Sequence, residues 1–367
     1  MLLPEVGTVK QRGGKIRSWN DRGGLGVNGD YVPQCDLVNP QANGECGTIS
    51  DLRFGQPIPS TVSDPAMLHG WNKRPDQWEL EASVAHQVMP RAGLEAGYFR
   101  RSYGNFTVTD NLLTEVSDYT QFSIPAPVDA RLPSGGAYTV GALYNLNPNK
   151  VGQVNNLFTQ ASNYGSYTEQ WSGVDVNLNV RLGRGTVLQG GFDTGRTSLD
   201  VCDIRAKLPE MTVVAPFVVG PTSPDCSVVG QFLTQVKFLG TYAVPKVDVQ
   251  IAGTFRSLAG QNIVSNYVAT NAVVQPSLGR PLSAGAANVT VNLVQPGTLY
   301  AGQTNLLDLR FSKIFRFSKY RTSLNLDLSN ALNSSGVTTV NNNYAAWQVP
   351  QAIHLARFYK ISANFDF

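Results

Sequence analysis

Long segments of apolar–polar alternation constrain the fold of this chain more than any other feature. In the segment 171–182, Val174 and Val176 alternate with Asp175 and Asn177. Because successive side chains of a β-strand point to opposite faces, this period of two predicts a strand with one apolar and one polar face. The same pattern recurs in the segments 78–89, 92–106, 185–201, 231–244, 247–260, 305–317, 320–333 and 357–367. The sequence therefore predicts an all-β protein of about nine strands, with a possible tenth at 6–19 and little helix.

Two kinds of connection alternate between the predicted strands. Tight turns are expected near residues 90, 183, 245 and 318. Long segments rich in Gly, Pro and Asn occupy 20–77, 107–168, 200–229, 268–303 and 334–354. Compact soluble domains seldom contain several long loops, whereas transmembrane barrels have short turns at one end and long loops at the other. The alternation predicts an antiparallel up-and-down transmembrane β-barrel with long extracellular loops.

Composition and aromatic placement favour the same fold. Charged residues make up only 15% of the chain, and a net charge of +3 is too small to indicate a nucleic-acid partner. Aromatic residues at the predicted strand ends are expected to form the girdles at the two membrane interfaces. These are Trp78, Tyr98, Trp171, Tyr242, Phe317, Tyr320 and Phe367. Lys313 interrupts an apolar face near a strand end, where its amine can reach the interface. We expect lipid to contact the apolar faces.

Four cysteines fall in or beside the long loops. Cys35 and Cys46 lie close together in one loop, and Cys202 and Cys226 flank another. Neither pair has CxxC spacing and the three histidines are scattered, which weakens a zinc site. We expect two local disulfides, Cys35–Cys46 and Cys202–Cys226, formed in an oxidising compartment. Four unrelated free thiols are the alternative.

No arrangement of residues predicts catalysis, so we expect no enzyme activity and no cofactor. The segment 20–36 is rich in carboxylate and amide side chains, which can hold calcium in glycine-rich turns. These are Asn20, Asp21, Asn28, Asp30 and Asp36. Their spacing does not match an EF-hand, so a polar loop without metal is favoured. Several loop aromatics are suited to stacking on a sugar or an aromatic chelator, although we expect most of them to close the loops over one another. They are Tyr119, Tyr138, Tyr144, Tyr164, Tyr267, Tyr300, Tyr344 and Trp347.

Several of these segments resemble the C-terminal barrel region of TonB-dependent outer-membrane receptors. The resemblance is carried by QWELEASVAHQVMPRAGLEAGYFRRSYGNFTVTDN, TEQWSGVDVNLNVRL, NLLDLRFSKIFRF, TSLNLDLSNALN and ARFYKISANFDF. It is greatest to the Oar-like group, whose members carry a carboxypeptidase-regulatory-like domain at the N-terminus. It covers most of residues 15–367.

The resemblance implies a 22-stranded barrel in a bacterial outer membrane, with an N-terminal plug inside it. A TonB box would contact the energised TonB complex, and the transported nutrient would be large and scarce: a siderophore, cobalamin, glycan or peptide. It also implies that aromatics of the last strand form the recognition signal for the barrel-assembly machinery. At the matching positions here these are Tyr359, Phe365 and Phe367.

The sequence departs from the family pattern in what it lacks. It shows no signal peptide, plug or TonB box, and only about half of the family's strands. We therefore expect residues 1–367 to be the C-terminal portion of a receptor barrel that does not transport by itself. Two alternatives remain: a smaller porin-like or structural outer-membrane barrel of about ten strands, and a secreted glycan-binding β-sandwich.

Overall fold

The structure, a computed structural model, describes residues 17–20, 30–39, 41–49, 61–183, 185–317 and 320–366. The short strands are β1 (Arg17–Trp19), β2 (Cys46–Ile49), β3 (Val62–Ser63), β6 (Thr107–Asn111), β7 (Tyr119–Pro125), β8 (Thr139–Leu146), β9 (Asn156–Gln160), β12 (Ser227–Val229), β15 (Asn266–Thr270), β16 (Asn288–Asn292), β19 (Val337–Val340) and β20 (Pro350–Ile353). The long strands are β4 (Asp76–Met89), β5 (Ala92–Gly104), β10 (Thr168–Leu182), β11 (Thr186–Asp200), β13 (Leu233–Val244), β14 (Val249–Leu258), β17 (Thr304–Phe317), β18 (Tyr320–Ser329) and β21 (Phe358–Asp366).

Helices are short, as the sequence predicted. The α-helices are α1 (Pro65–Leu68), α2 (Cys202–Lys207) and α3 (Asn271–Leu278). Single turns of 3₁₀-helix occur at Val116–Asp118, Pro133–Gly135, Pro148–Lys150, Ala161–Asn163, Ser283–Gly285 and Tyr344–Ala346. Within the residues that the structure covers, none of these helices has the length and apolar character needed to cross a membrane.

The long strands form one antiparallel sheet in the order β4, β5, β10, β11, β13, β14, β17, β18, β21, and β12 pairs with β11 at its margin. Each long strand pairs with the next one along the chain, so the sheet is an up-and-down meander. The first and last residues of its long strands agree with the predicted segments to within a few residues. The possible tenth strand at 6–19 is described only as β1, and 6–16 lie outside the described residues. Among the described strands β4 and β21 do not pair with each other, so the sheet is open rather than closed into a barrel.

Tight turns join the strands in pairs at one end of the sheet, the turn end. The β4–β5 turn contains Pro90 and Arg91, and the left-handed backbone of Arg91 (φ 70°) reverses the chain within two residues. The β13–β14 turn uses Lys246 (φ 70°) and Asp248 (φ 48°) in the same way. Strands β10 and β11 are separated by three residues and strands β17 and β18 by two, and each pair is antiparallel, so these two chain reversals also lie where the sequence predicted them. All longer connections therefore leave from the opposite end, the loop end.

Strand register gathers the apolar side chains on one face of the sheet. Val176 on β10 lies between Ala96 on β5 and Phe192 on β11. At the other side of the sheet, Leu328 on β18 lies opposite Tyr359 on β21. A shift of one residue would move an entire strand's apolar set to the other face, so the pairing is specified by the pattern. The sheet consequently has one apolar and one polar face.

The apolar face is exposed. Leu80, Val84 and Ile361 have 60%, 67% and 74% of their surface accessible. Further exposed residues on this face are Trp78, Val88, Tyr98, Val174, Leu188, Phe192, Tyr242, Phe311, Phe317, Tyr320, Leu324, Leu326, Tyr359 and Phe365. No second sheet of the described residues covers them, unlike the inner faces of a β-sandwich.

The dry interior of the protein lies in the long loops instead. The large loop core draws on segments 122–143, 263–294 and 337–347. It contains Phe122, Ile124, Leu143, Val274, Val291, Leu293 and Trp347. The small loop core packs the loop end of β11 against α2 and β12. It contains Val108, Leu199, Val201, Ile204, Phe217, Val219 and Val228. The loops are thus packed structures with short strands of their own.

A buried arginine ties two of these loops together. Arg205 of α2 is 5% exposed, and its guanidinium lies 4.9 Å from the ring centroid of Tyr144. The same group donates hydrogen bonds to the carbonyl oxygens of Ala142 and Gly220, at 2.5 and 3.3 Å. A buried cation needs such partners, because an unpaired one is costly in a dry interior. Arg205 therefore fixes the segment after α2 against β8.

Candidate functional site

The polar face of the sheet carries paired charges. Arg310 and Asp327 are directly opposite on β17 and β18, with Nε and Oδ1 2.5 Å apart. Arg256 and Asp308 make a similar pair across β14 and β17 at 2.9 Å. These side chains remain partly exposed, so each pair contributes little stability on its own. Their effect is to make a hydrophilic surface whose charges largely compensate one another.

A cavity of about 370 Å³ lies at the loop end of this polar face. Its floor is formed by strands β10, β11 and β13, which supply Trp171, Asp193 and Gln235. Its roof is formed by loop residues that include Phe217 and Tyr300. We call this space the Trp171 cavity. It has the size of a small-ligand pocket.

Both loop cores hold the roof in place. Phe217 belongs to the small loop core. Asn262 and Tyr300 pair as a short antiparallel bridge, and the amide of Ile263 donates to the carbonyl of Leu299 at 2.8 Å. Ile263 belongs to the large loop core, so the roof is anchored on both sides. A cavity walled by packed elements is preorganised.

Trp171 lies over two glycines. A Cβ atom at Gly173 would come within 2.6 Å of Cη2 of the indole, and one at Gly195 would clash with Cζ2. Only glycine at both positions lets the ring lie this close to the backbone. Arg101, held by Glu79 at 3.1 Å, places its guanidinium 5.8 Å from the ring centroid. The indole is thereby fixed as part of the cavity floor.

This position corrects the expectation that Trp171 belongs to an interfacial girdle. Trp171 shares the face of Asp175, because its partners across the sheet are Arg101 and Thr197 on the polar side. The sequence contains the information needed to place Trp171 on this face. Trp171 and Asp175 are separated by an even number of residues along one strand, so their side chains point to the same side of the sheet. Tyr98 also departs from the expectation, as it lies in the middle of β5 rather than at an end.

Neutral hydrogen-bonding groups and one carboxylate line the rest of the cavity. Asp193 and Gln235 are cross-strand neighbours, and Nζ of Lys237 lies 3.9 Å from Oδ1 of Asp193. Asn262 accepts a hydrogen bond from the Gly297 amide at 3.1 Å through Oδ1, which orients its amide. Burial raises the pKa of Tyr300, so its phenol stays protonated at neutral pH and can donate.

A second recess of about 460 Å³ lies near the turn end of the same sheet. Strand residues line it, including His86, Glu95, Asn177 and Gln189. No loop residue of the described chain roofs it. It lacks the packed walls of the Trp171 cavity, and we assign it no ligand.

The four cysteines form the two expected pairs. Cys35 and Cys46 are bonded with their Cα atoms 5.9 Å apart, and Cys202 and Cys226 with theirs 4.9 Å apart. The second bond joins the first residue of α2 to the segment before β12, beside the small loop core. It therefore braces the loop that carries Phe217.

The predicted calcium loop is described only in part. Residues 21–29 lie outside the described residues. Asp30 accepts hydrogen bonds from the Val32 amide and the Gln34 side chain, and Asp36 accepts from the Val38 amide, as in polar turns. No group of three potential metal ligands occurs in the part of the chain that the structure describes.

Most loop aromatics close the loops, as expected. Trp347 is 2% exposed, and its indole donates to the Val264 carbonyl at 2.9 Å. Tyr138 donates to the Leu293 carbonyl within the large loop core. Tyr300 differs from these, because it lines the Trp171 cavity.

The predicted assembly signal lies on the last strand. Tyr359 and Phe365 are exposed on the apolar face of β21, which forms one margin of the sheet. Phe367 lies outside the described residues. Recognition by an assembly machinery stays a prediction.

The comparisons with known proteins leave the fold and the site as the basis for assigning a function. No family model matches the chain, and no curated protein matches it either.

Proposed function

We propose that the chain forms part of the barrel wall of a TonB-dependent receptor in a bacterial outer membrane. The complete receptor takes up a large, scarce nutrient such as a siderophore, cobalamin, glycan or peptide. One observation carries the proposal: the apolar face of nine consecutive strands is exposed, while the dry cores lie in the loops. In water, each large apolar side chain left uncovered forgoes about 1.5–3 kcal/mol of burial. Hydrocarbon covers such a face without any second protein layer.

Strand length supports a membrane-spanning wall. Strand β18 has 10 residues, and a strand of that length is about 34 Å long. At the tilt of about 40° found in membrane barrels it rises about 26 Å, close to the apolar band of such proteins. The commonest strands of globular sheets are shorter, at about five or six residues.

The opposite face supports an aqueous interior. Arg310–Asp327 and Arg256–Asp308 face away from the apolar side, where water can reach them. Lys313, a charged residue on the apolar face, donates a hydrogen bond to the Val247 carbonyl in the β13–β14 turn at 2.6 Å. Its charge is thus carried to the turn end, where a membrane interface would lie.

The open margins of the sheet support a larger barrel. In lipid, each unpaired backbone group of β4 and β21 would cost several kcal/mol. Further strands must therefore pair with both margins before the wall is complete. Tyr359 and Phe365 on β21 are placed where the assembly machinery would engage the wall. Transport requires the completed receptor.

Refolding separates this proposal from its two alternatives. We expect the chain to need detergent for a folded, monodisperse state, and to give no discrete channel in a planar bilayer. Stable ohmic channels would favour the small porin-like barrel. A monodisperse monomer in buffer without detergent would favour the soluble sandwich and contradict the membrane proposal.

A further inference from the structure

We propose that the Trp171 cavity binds a neutral sugar unit of a glycan. The inference rests on the proposed function for its biological meaning, because it selects glycan among the nutrient classes of the receptor. The binding site itself is made of residues that the structure describes. It can therefore be tested on the chain without transport.

The floor of the cavity offers the flat apolar surface that a pyranose ring requires. One face of such a ring presents C–H groups, which pack against the face of an aromatic side chain. Trp171 is held against Gly173 and Gly195, and a side chain at either glycine would displace the indole. The ring is thus oriented before a ligand arrives, so little side-chain freedom is lost on binding.

Polar groups around Trp171 match the hydroxyls at the edge of a sugar ring. Asp193 and Gln235 lie on the floor, and Asn262 and Tyr300 lie on the roof. Together they supply carboxylate and amide acceptors, amide donors and a phenolic donor. A ligand with hydroxyls in several directions can satisfy all of them, whereas a purely apolar ligand would leave them unpaired.

The charge balance favours a neutral ligand. Lys237 lies 3.9 Å from the only carboxylate of the floor, and Arg101 is paired with Glu79. Arg196 also borders the cavity, but it shares the face of Phe192, and its guanidinium lies 4.8 Å from the Phe232 ring centroid. An anionic chelator would have to compete with Asp193 for Lys237 and with Glu79 for Arg101. A volume of about 370 Å³ holds a sugar unit but is too small for cobalamin.

The test uses the whole chain, folded in the sugar-free detergent lauryldimethylamine oxide. A glycan array first identifies bound structures, and titration calorimetry then measures the Kd of the best neutral oligosaccharide. We expect Trp171→Ala to weaken that binding by at least about tenfold, which corresponds to 1.4 kcal/mol. Asp193→Asn, which keeps the shape of the side chain, should weaken it by a similar factor. Trp71→Ala is the control, because Trp71 is highly exposed and does not line the cavity.

Each outcome decides the inference. Weaker binding by both cavity variants, with unchanged binding by Trp71→Ala, supports it. Binding of no neutral glycan, binding of anionic glycans only, or full affinity in folded Asp193→Asn overturns it. The membrane proposal is tested separately. If the chain binds glycan but is a soluble monomer without detergent, the sugar site is supported and the receptor proposal is contradicted. If the chain requires detergent but binds no glycan, the receptor proposal stands and the sugar site is contradicted.

Discussion

At the residue scale, one ion pair holds two distant loops of the large loop core together. The Asp129 carboxylate accepts hydrogen bonds from Arg131 at 2.6 Å and from the Tyr344 phenol at 3.0 Å. The Arg131 guanidinium also donates to the Trp347 carbonyl at 3.3 Å. These hydrogen bonds, those from Arg131 above all, hold the pKa of Asp129 well below its usual value of 3.8. The charged form of Asp129 is therefore the form that stabilises the loops.

We predict that acid loosens this contact. Because the pKa of Asp129 is lower in the folded than in the unfolded state, its stabilisation is complete above the unfolded value and is lost as the pH falls below about 4. Hydrogen-exchange protection of the Trp347 indole should decrease over that range. In Asp129→Asn the protection should be lower at neutral pH and should depend less on acid. An Asp129→Asn protein with the wild-type acid dependence would contradict the assignment.

Trp171 illustrates what sequence can predict at this scale. Its face follows from strand parity alone, since it alternates in step with Asp175. Its role does not, because the cavity also needs Phe217 and Tyr300 from loops with no periodic pattern. The contact of the Trp171 ring with Gly195 could not be predicted from the sequence either. Gly195 becomes a neighbour of Trp171 only through the pairing register of β10 and β11.

At the scale of elements, the long strands could be predicted and the loops could not. Period two and tight turns are local signals, and they locate β10 and β11 to within a few residues. The loop cores bring together residues from distant segments, such as Val108, Ile204 and Val228 in the small loop core. No local pattern encodes those pairings, so 107–168 and 200–229 read as irregular polar segments. The sequence also cannot show that the sheet is open, because this depends on whether β4 and β21 pair with each other.

We predict that substitution by arginine has a different effect on stability at each of the two faces of β4. Val84→Arg places a charge on the apolar face in the middle of the strand, and should lower the free energy of unfolding in micelles by about 2 kcal/mol. Ser83→Arg changes the adjacent residue on the polar face and should alter it by less than about 0.5 kcal/mol. Both residues are exposed, so burial in protein does not distinguish them. Urea titrations followed by circular dichroism measure the two values. Equal effects would mean that both faces of β4 meet water.

At the scale of the whole molecule, the chain has its hydrophobic surface and its hydrophobic cores in different places. The sheet leaves the apolar side chains of one face exposed, and the loops at one end enclose the buried apolar residues. In layered folds the apolar face of a sheet is buried against another element, which is not the case for this sheet among the described residues. The sheet is a single layer, and the packed loops supply the roof of the Trp171 cavity.

Nuclear Overhauser effects between protein methyl groups and detergent acyl chains test this arrangement most directly. The chain is methyl-labelled and folded in dodecylphosphocholine. We predict contacts to acyl chains from Val84, Leu326 and Ile361 on the apolar face, and none from Leu143 and Ile204 in the loop cores. Contacts of the first group with water or with other protein methyls alone, without acyl chains, would contradict the account.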